Sequence, residues 1–298
     1  MVDRRVQIVH DLGRDDRVEV FGPPIIVRCR DGAFQPHARA HFDPRRHERV
    51  DHGLAQIQRV LVDQQTFRRA ANSGAPGLGV DDHVHRFLRV RRFVDVNVDD
   101  AFEMGEHWHK EALFERKKNS FLDYIAVANH LIEQKYTYKS GICFLGGSAG
   151  GLTGTAVVNM APELFFSMLL LVPFCDPLTT MLNEKLPLTP SEWELWGNPI
   201  KSKKYFESIL SYSPYNNLRR TSYPPMLVTT SLFDSRVLYS EPIKYVAKLR
   251  ELKSDKNLQL LKCKMKAASH GGPSGRDNSI KELAEEFSFI LKTAGIKN

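Results

Sequence analysis

Residues 141–151 read GICFLGGSAGG, a short apolar run followed by glycines on both sides of one serine, Ser148. The apolar residues 141–145 predict a buried strand, and the residues that follow Gly151 have the composition of a helix. The turn between them has the pattern G-x-S-x-G, which between a strand and a helix is typical of a nucleophilic serine held in a strained backbone conformation. The alternative is an ordinary glycine-rich turn, and the context favours the nucleophile.

The residues around this stretch alternate between predicted strands and predicted helices. Amphipathic spacing predicts a helix over residues 119–134, and further helices over residues 240–251 and 279–293. Apolar runs predict buried strands at residues 168–172, 225–230 and 258–263. Because strands that alternate with helices form a parallel sheet with helices on both faces, we predict an α/β fold with a mostly parallel sheet.

A serine hydroxyl needs a base to become a nucleophile, and two downstream residues are placed to supply it. Asp234 follows the predicted strand at 225–230, and His270 follows the one at 258–263. This chain order of serine, acid and histidine is that of α/β-hydrolases. The other histidine in this half of the chain, His130, lies inside a predicted helix before the serine, which leaves His270 as the base. The alternatives are a helix N-cap for Asp234 and an exposed loop histidine for His270.

These residues have defined roles in acyl transfer. Ser148 would attack a carbonyl carbon, and His270 would take its proton and pass it to the leaving group. Asp234 would fix the imidazole tautomer and stabilise the imidazolium. The backbone N–H of Ala149, the residue after the nucleophile, would donate a hydrogen bond to the oxyanion.

The first 101 residues differ in composition from the remainder. Up to residue 109 the chain holds 17 arginines and no lysine, whereas lysine is frequent afterwards. Short alternating runs such as residues 89–96 predict strands, but no helix with clear caps is recognisable. Three interpretations stay open: a small β-rich domain, a largely disordered segment, or a sequence never selected to fold, such as a fused or wrongly read frame, which the missing lysines favour. We therefore divide the chain into an unassigned segment, 1–101, and a hydrolase part, 102–298.

Composition also indicates where the protein is located and which classes of partner it lacks. The four cysteines have no paired spacing, which favours a reducing, cytoplasmic location. The N-terminus lacks the apolar core of a signal peptide, and the longest apolar stretch, residues 168–175, is too short to span a bilayer, so we expect no membrane partner. The net charge of +7 comes from scattered lysines, so we expect no nucleic-acid partner. The oligomeric state is left open.

Two histidine pairs have the spacing of metal ligands. They are His83 with His85 and His107 with His109. Because neither pair has cysteine or carboxylate ligands at supporting positions, we expect no metal site. We expect no cofactor either.

Several further motifs are shared with one enzyme family. They are Glu103-Met104-Gly105, Val172-Pro173-Phe174, Trp196-Gly197-Asn198-Pro199, Tyr212-Ser213-Pro214-Tyr215-Asn216, Asp234-Ser235-Arg236-Val237 and His270-Gly271-Gly272-Pro273-Ser274-Gly275-Arg276. With these motifs the chain, from about Phe102 to its end, resembles the catalytic domain of the prolyl oligopeptidase family, most closely its oligopeptidase B branch. The resemblance implies a cytosolic serine peptidase of the α/β-hydrolase fold that cleaves short peptides.

The oligopeptidase B branch also implies cleavage after Arg or Lys. Residues 188–194, LTPSEWE, have Glu192 and Glu194 where that branch carries the acids of its basic-residue pocket. A buried guanidinium or ammonium needs an opposite charge and charge-assisted hydrogen bonds, which two carboxylates can supply. The alternative is the acidic first turn of a helix, which the helix dipole favours. Arg236 matches an arginine that in this family helps to hold the substrate backbone.

The first hundred residues depart from the family pattern. The family has a β-propeller and early strands before this part, and those strands carry a tyrosine whose hydroxyl is the second oxyanion donor. Residues 1–101 contain no tyrosine, so we expect a sheet without its early strands and with an exposed edge. Three functions are therefore carried forward: an oligopeptidase, a truncated or fused remnant with impaired catalysis, and a generic α/β-hydrolase esterase.

Overall fold

Six parallel strands form one sheet in the computed structural model, which describes residues 25–29, 93–96, 106–266, 269–272 and 275–296. The strands lie in the order β2-β1-β3-β4-β5-β6. Their bounds are β1 Ile25–Cys29, β2 Phe93–Val96, β3 Ile142–Gly147, β4 Phe165–Leu171, β5 Met226–Ser231 and β6 Gln259–Lys264. The predicted α/β class is confirmed.

Helices precede β3 and connect the strands that follow it. They are α1 Glu106–Lys110, α2 Lys118–Glu133, α3 Ser148–Met160, α4 Pro177–Met181, α5 Thr189–Trp196, α6 Lys203–Leu210, α7 Ser240–Leu252 and α8 Arg276–Thr293. The elements that the sequence predicted are present with small shifts at their ends, whereas α1, α4 and α6 were not predicted. The helix α5 has Glu192 in its first turn, as the alternative interpretation of residues 188–194 expects. Within the described ranges, no helix has both the length and the apolar character needed to cross a membrane.

Different helices cover the two faces of the sheet. Side chains alternate between the faces along each strand. Val27 and Phe144 pack into one apolar cluster with residues of α2, α3 and α7. Their neighbours Ile26 and Cys143 lie on the opposite face and pack with Phe289 of α8. The sheet is therefore buried on both faces, as parallel sheets generally are.

Two strands of the sheet come from the N-terminal segment. β1 pairs in parallel with β3, from Ile25–Arg28 to Ile142–Leu145, and β2 pairs with β1. An exposed edge at β3, which a sheet without early strands would leave, is therefore not observed. β2 lies inside the run at 89–96 that predicts strands. The remaining expectations for residues 1–101 fall outside the described residues.

A buried polar cluster joins α7 to the segment that follows β4. Glu241, in the first turn of α7, accepts a hydrogen bond from the backbone N–H of Asp176 (2.9 Å) and one from the hydroxyl of Thr180 (2.5 Å). The Lys244 Nζ lies 2.6 Å from the Asp176 carboxylate. Burial, reinforced by the Asp176 charge, raises the pKa of Glu241 to about 7, although these two hydrogen bonds and Lys244 oppose the change.

Glu241 should make stability depend on pH. Its carboxyl has an ordinary pKa of 4.5 and a pKa of about 7 in the fold, so between these values only the folded state keeps the proton. The resulting stabilisation is fully present below pH 4.5 and is lost as the pH rises through about 7. Urea denaturation across this range should show the decline in the free energy of unfolding, and Glu241→Gln should remove the Glu241 contribution. Glu251→Gln, at an exposed position of α7, should keep the wild-type profile, and identical profiles for all three proteins would contradict the prediction.

Gly151 allows the first turn of α3 to lie against the segment after β4. A Cβ atom at residue 151 would lie 2.5 Å from both Cα and Cβ of Pro173. We therefore expect Gly151→Ala to lower the free energy of unfolding by roughly 1–3 kcal/mol, the usual effect of overpacking. The control is Gly271→Ala, whose added methyl would meet nothing closer than 3.9 Å. Urea denaturation that finds Gly151→Ala as stable as the wild type would refute this account of the packing.

Candidate active site

Ser148 lies on the turn between β3 and α3, as the sequence predicts. It is the first residue of α3, it follows Gly147 at the end of β3, and its φ is +53°. A positive φ is strained for a residue that carries a Cβ atom. The N–H of Phe174 donates a hydrogen bond of 3.0 Å to the Ser148 carbonyl oxygen, so the segment after β4 supports the strained turn. The serine side chain is half-buried and therefore within reach of a substrate.

Asp234 and His270 are in direct contact. The Nδ1 atom of His270 lies 2.8 Å from Oδ2 and 3.0 Å from Oδ1 of Asp234. The Asp234 side chain is fully buried, and its Oδ1 also accepts hydrogen bonds from the backbone N–H groups of Arg236 (2.9 Å) and Val237 (3.0 Å). Burial alone would raise the pKa of Asp234, but the hydrogen bonds from His270, Val237 and Arg236 outweigh it and hold that pKa below its usual value. Asp234 is therefore an ionised acceptor that orients the imidazole.

All three predicted residues follow strands at one edge of the sheet. Ser148 follows β3, Asp234 follows β5 and His270 follows β6, with β4 between the first two strands. Ligand sites in open parallel sheets lie outside the carboxyl ends of the strands. Among the described residues, no hydrogen bond joins the Ser148 hydroxyl to His270. In apo enzymes such contacts are often long and tighten only when substrate binds.

Ala149 occupies the second position of α3. The first N–H groups of a helix have no partner within the helix. They also lie at the positive end of the helix dipole. The Ala149 N–H can therefore donate to an oxyanion formed beside Ser148.

The two candidate pocket acids have different surroundings. Glu192 is half-buried on α5, and its Oε2 accepts a hydrogen bond of 2.6 Å from the indole N–H of Trp196. Glu194 is exposed on the same helix, and Arg236 is exposed in the turn after Asp234. The structure therefore connects Glu192 to the interior beside the site and leaves Glu194 and Arg236 at the surface.

Sequence reasoning missed an aromatic pair that links Glu192 to the serine turn. Trp196 packs edge-on against Phe174, with ring centroids 5.7 Å apart, and the Phe174 N–H binds the Ser148 carbonyl. The Lys117 Nζ atom lies over the Trp196 ring, 4.6 Å from its centroid. Both aromatic residues belong to motifs that carried the family resemblance, but nothing in the sequence indicated that they touch.

The candidate metal ligands gain no support. His83 and His85 lie outside the described residues, and the side chain of His107 is also outside them. In the described part of the chain, no group of three or more His, Cys, Asp or Glu side chains could hold a metal ion.

The fold and the site together define the class. A parallel sheet covered on both faces, with a serine on a strained turn and an Asp–His pair at the same edge, is the arrangement of α/β-hydrolases. The prolyl oligopeptidase family model matches residues 92–297, and the chain belongs to this family. The resemblance seen in the sequence is thereby confirmed.

Known peptidases are similar to this chain, in sequence over about two thirds of its length and in structure over nearly all of it. Protease 2 of Moraxella lacunata is 47% identical over 205 residues, which cover 69% of this chain and 29% of that protein. Dipeptidyl aminopeptidase BI of Pseudoxanthomonas mexicana is 46% identical over 194 residues, covering 65% of this chain and 27% of that protein. The structure of oligopeptidase B from Leishmania major matches with a TM-score of 0.73 and 31% identity, covering 95% of this chain and 34% of that one. The chain thus spans about a third or less of the length of these relatives.

Asp234→Asn tests whether the Asp234 carboxylate orients His270, because the substitution changes its charge and hydrogen bonding but not its size. The amide keeps the volume of the side chain but favours the wrong imidazole tautomer, so we expect the reaction of Ser148 with a fluorophosphonate to slow by up to about 10⁴-fold. The labelling rate can be measured by mass spectrometry on the folded chain. The control is Asp277→Asn, at an exposed position of α8, which should label at the wild-type rate. An unchanged rate in Asp234→Asn would remove Asp234 from the site.

Proposed function

We propose that this chain forms the catalytic part of a serine peptidase that acts through an acyl-enzyme. The observation that carries the proposal is the contact of 2.8 Å between His270 and the buried Asp234 carboxylate. It lies at the same edge of the sheet as Ser148, whose φ is positive. A base oriented in this way beside a serine is what activates a hydroxyl nucleophile. The peptidase names of Protease 2 and dipeptidyl aminopeptidase BI support the same chemistry.

The proposed reaction has two stages, acylation of Ser148 and hydrolysis of the acyl-enzyme. Ser148 Oγ attacks the carbonyl carbon of a peptide bond while Nε2 of His270 accepts the hydroxyl proton. The Ala149 N–H stabilises the oxyanion, and Asp234 stabilises the imidazolium. His270 then gives the proton to the leaving amine, which leaves Ser148 acylated. Water, deprotonated by His270, hydrolyses the ester and restores the serine.

The substrates are short peptides with Arg or Lys before the scissile bond. Glu192 supports this specificity because its half-buried carboxylate could form a charge-assisted hydrogen bond with a guanidinium or ammonium group. We assign Glu194 and Arg236 secondary roles at the rim, the second as a contact to the substrate backbone. The solved structure of Trypanosoma brucei oligopeptidase B with covalently bound antipain supports covalent chemistry in such sites.

The proposal extends to the organisation and location of the protein. We assign the peptidase part to residues 102–298, with β1 and β2 from the N-terminal segment completing its sheet, and give residues 1–101 no separate function. Cys143 and Cys175 are buried free thiols, and Cys263 is a half-buried one, which supports a reducing, cytoplasmic location.

Turnover of matched substrates tests the proposal. A short fluorogenic peptide amide with Arg before the scissile bond should be cleaved faster than the same peptide with Leu, and Ser148→Ala should abolish both activities. Glu192→Gln should lower the preference for Arg over Leu by roughly tenfold or more, since a hydrogen bond to a charged group contributes about 1.5–3 kcal/mol. We expect a smaller effect for Glu194→Gln, because Glu194 is exposed.

The controls separate the alternatives. Glu184→Gln changes an exposed glutamate before α5 and should leave the preference for Arg unchanged. A cooperatively folded chain that neither cleaves the peptides nor reacts with a fluorophosphonate would refute the proposal and favour the impaired remnant. Rapid cleavage of a simple ester without cleavage of the arginyl amide would favour the generic esterase.

A further inference from the structure

The segment Val172–Asp176 lies directly behind the serine turn. Its Phe174 N–H binds the Ser148 carbonyl at 3.0 Å, and its Cys175 carbonyl accepts a hydrogen bond of 2.9 Å from the N–H of Tyr215. Val172, at the start of the segment, has a φ of +43°, a strained value for a β-branched residue. A strained segment keeps its conformation only when surrounding contacts fix it. The contacts at its far end are therefore important for Ser148.

Glu241 fixes that far end from a different part of the chain. Its Oε2 accepts the Asp176 N–H at 2.9 Å, and its Oε1 accepts the Thr180 hydroxyl at 2.5 Å. Only 3% of Glu241 is exposed, so water does not replace either bond. Lys244 holds the Asp176 side chain at 2.6 Å. The Asp176 backbone and side chain are thus both bound to the first turns of α7.

The contacts of Glu241 continue into the helix that carries Glu192. The Thr180 carbonyl accepts a hydrogen bond of 3.0 Å from the hydroxyl of Thr189, the first residue of α5. One residue further on, the Met181 carbonyl accepts a hydrogen bond of 3.1 Å from the indole N–H of Trp193. Through Thr180, Glu241 is therefore linked to the first residue of α5, the helix that carries Glu192.

Glu241 also follows the turn that carries Asp234. The Asp234 carboxylate binds the backbone N–H of Val237 at 3.0 Å, and α7 begins at Ser240. The first turn of α7 is therefore fixed relative to the Asp–His pair. A side chain on that turn, which follows Asp234, can therefore contact the segments next to Ser148 and Glu192.

We propose that Glu241 is a positioning residue that sets the distance between Ser148 and the substrate pocket around Glu192. It acts through the Asp176 N–H on the segment behind the serine, and through Thr180 on the start of α5. The inference rests on the proposed peptidase function. A carboxylate suits this role because its two oxygens accept both hydrogen bonds at once. Its charge is not required for that, since a glutamine can accept the Asp176 N–H and donate to the Thr180 hydroxyl.

Two substitutions at Glu241 test this role in the full chain. Glu241→Ala removes both hydrogen bonds, and we expect the ratio of kcat/KM for the arginyl amide over the leucyl amide to fall about tenfold, as small displacements of positioning groups do. Glu241→Gln should restore the ratio to within about twofold, because both bonds can be re-formed. A ratio is independent of how much protein is folded, so a merely structural effect would lower both substrates equally and leave it unchanged. Thr180→Val removes one of the bonds while keeping the side-chain shape, and it should lower the ratio in the same direction.

The matched control is Glu251→Ala, which truncates an exposed glutamate on the same helix and should leave the ratio unchanged. Hydrogen exchange of peptides covering residues 172–196 gives a readout that needs no activity. We expect faster exchange there in Glu241→Ala and wild-type exchange in Glu241→Gln and Glu251→Ala. Unchanged exchange and an unchanged substrate ratio in Glu241→Ala would overturn the inference.

If the wild-type chain cleaves neither substrate, the proposed function fails, and hydrogen exchange alone decides the role of Glu241. Faster exchange in residues 172–196 of the alanine variant, rescued by glutamine, then supports the positioning role. Equal exchange in the wild type and both variants overturns it.

Discussion

The site depends on how closely α3 lies against the sheet. A Cβ atom at Gly151 would lie 2.5 Å from Pro173, and one at Gly154 would lie 2.3 Å from the Phe144 ring. Only glycine at these positions lets the helix begin at Ser148 with a φ of +53°. The same packing places the unpartnered first N–H groups of α3 beside the serine, where they can stabilise negative charge. The strained backbone at Ser148 and the position of these N–H groups therefore share one physical origin, the close packing of α3 against the sheet.

Two buried carboxyl groups near this site have pKa values shifted in opposite directions. Both lose water, which raises the pKa of a carboxyl group. Asp234 accepts hydrogen bonds from His270 and from two backbone N–H groups, and these hold its pKa below the usual value. Glu241 lies near the negative Asp176, and burial raises its pKa to about 7 despite two donors and Lys244. The first environment suits a permanent charge that orients a base, whereas the second suits a side chain used for its hydrogen bonds.

Local patterns in the sequence predicted most of the fold and the core of the candidate site. Apolar runs and helical spacing located β3 to β6 and the long helices, and the glycines around Ser148 indicated the turn, because these features depend on neighbouring residues. β1 was missed because it is only five residues long and its partner β3 lies far along the chain. The bond from Asp176 to Glu241 joins residues 65 positions apart and has no local signature. The contact between Phe174 and Trp196 could not be predicted for the same reason, because it joins two separate segments of the chain.

The loops at this sheet edge are held mainly by polar contacts to backbone groups. Asp234 binds two N–H groups of its own turn, Glu241 binds the N–H of Asp176, and the Phe174 N–H binds Ser148. In the proposed function, a basic side chain bound to Glu192 would change the hydrogen bond between Glu192 and Trp196. Trp196 packs against Phe174, so the change would reach the segment that supports Ser148. Binding energy from a part of the substrate that does not react could then improve alignment at the reacting carbonyl. Substrate preference and reaction rate would therefore change together, because one segment of backbone serves both.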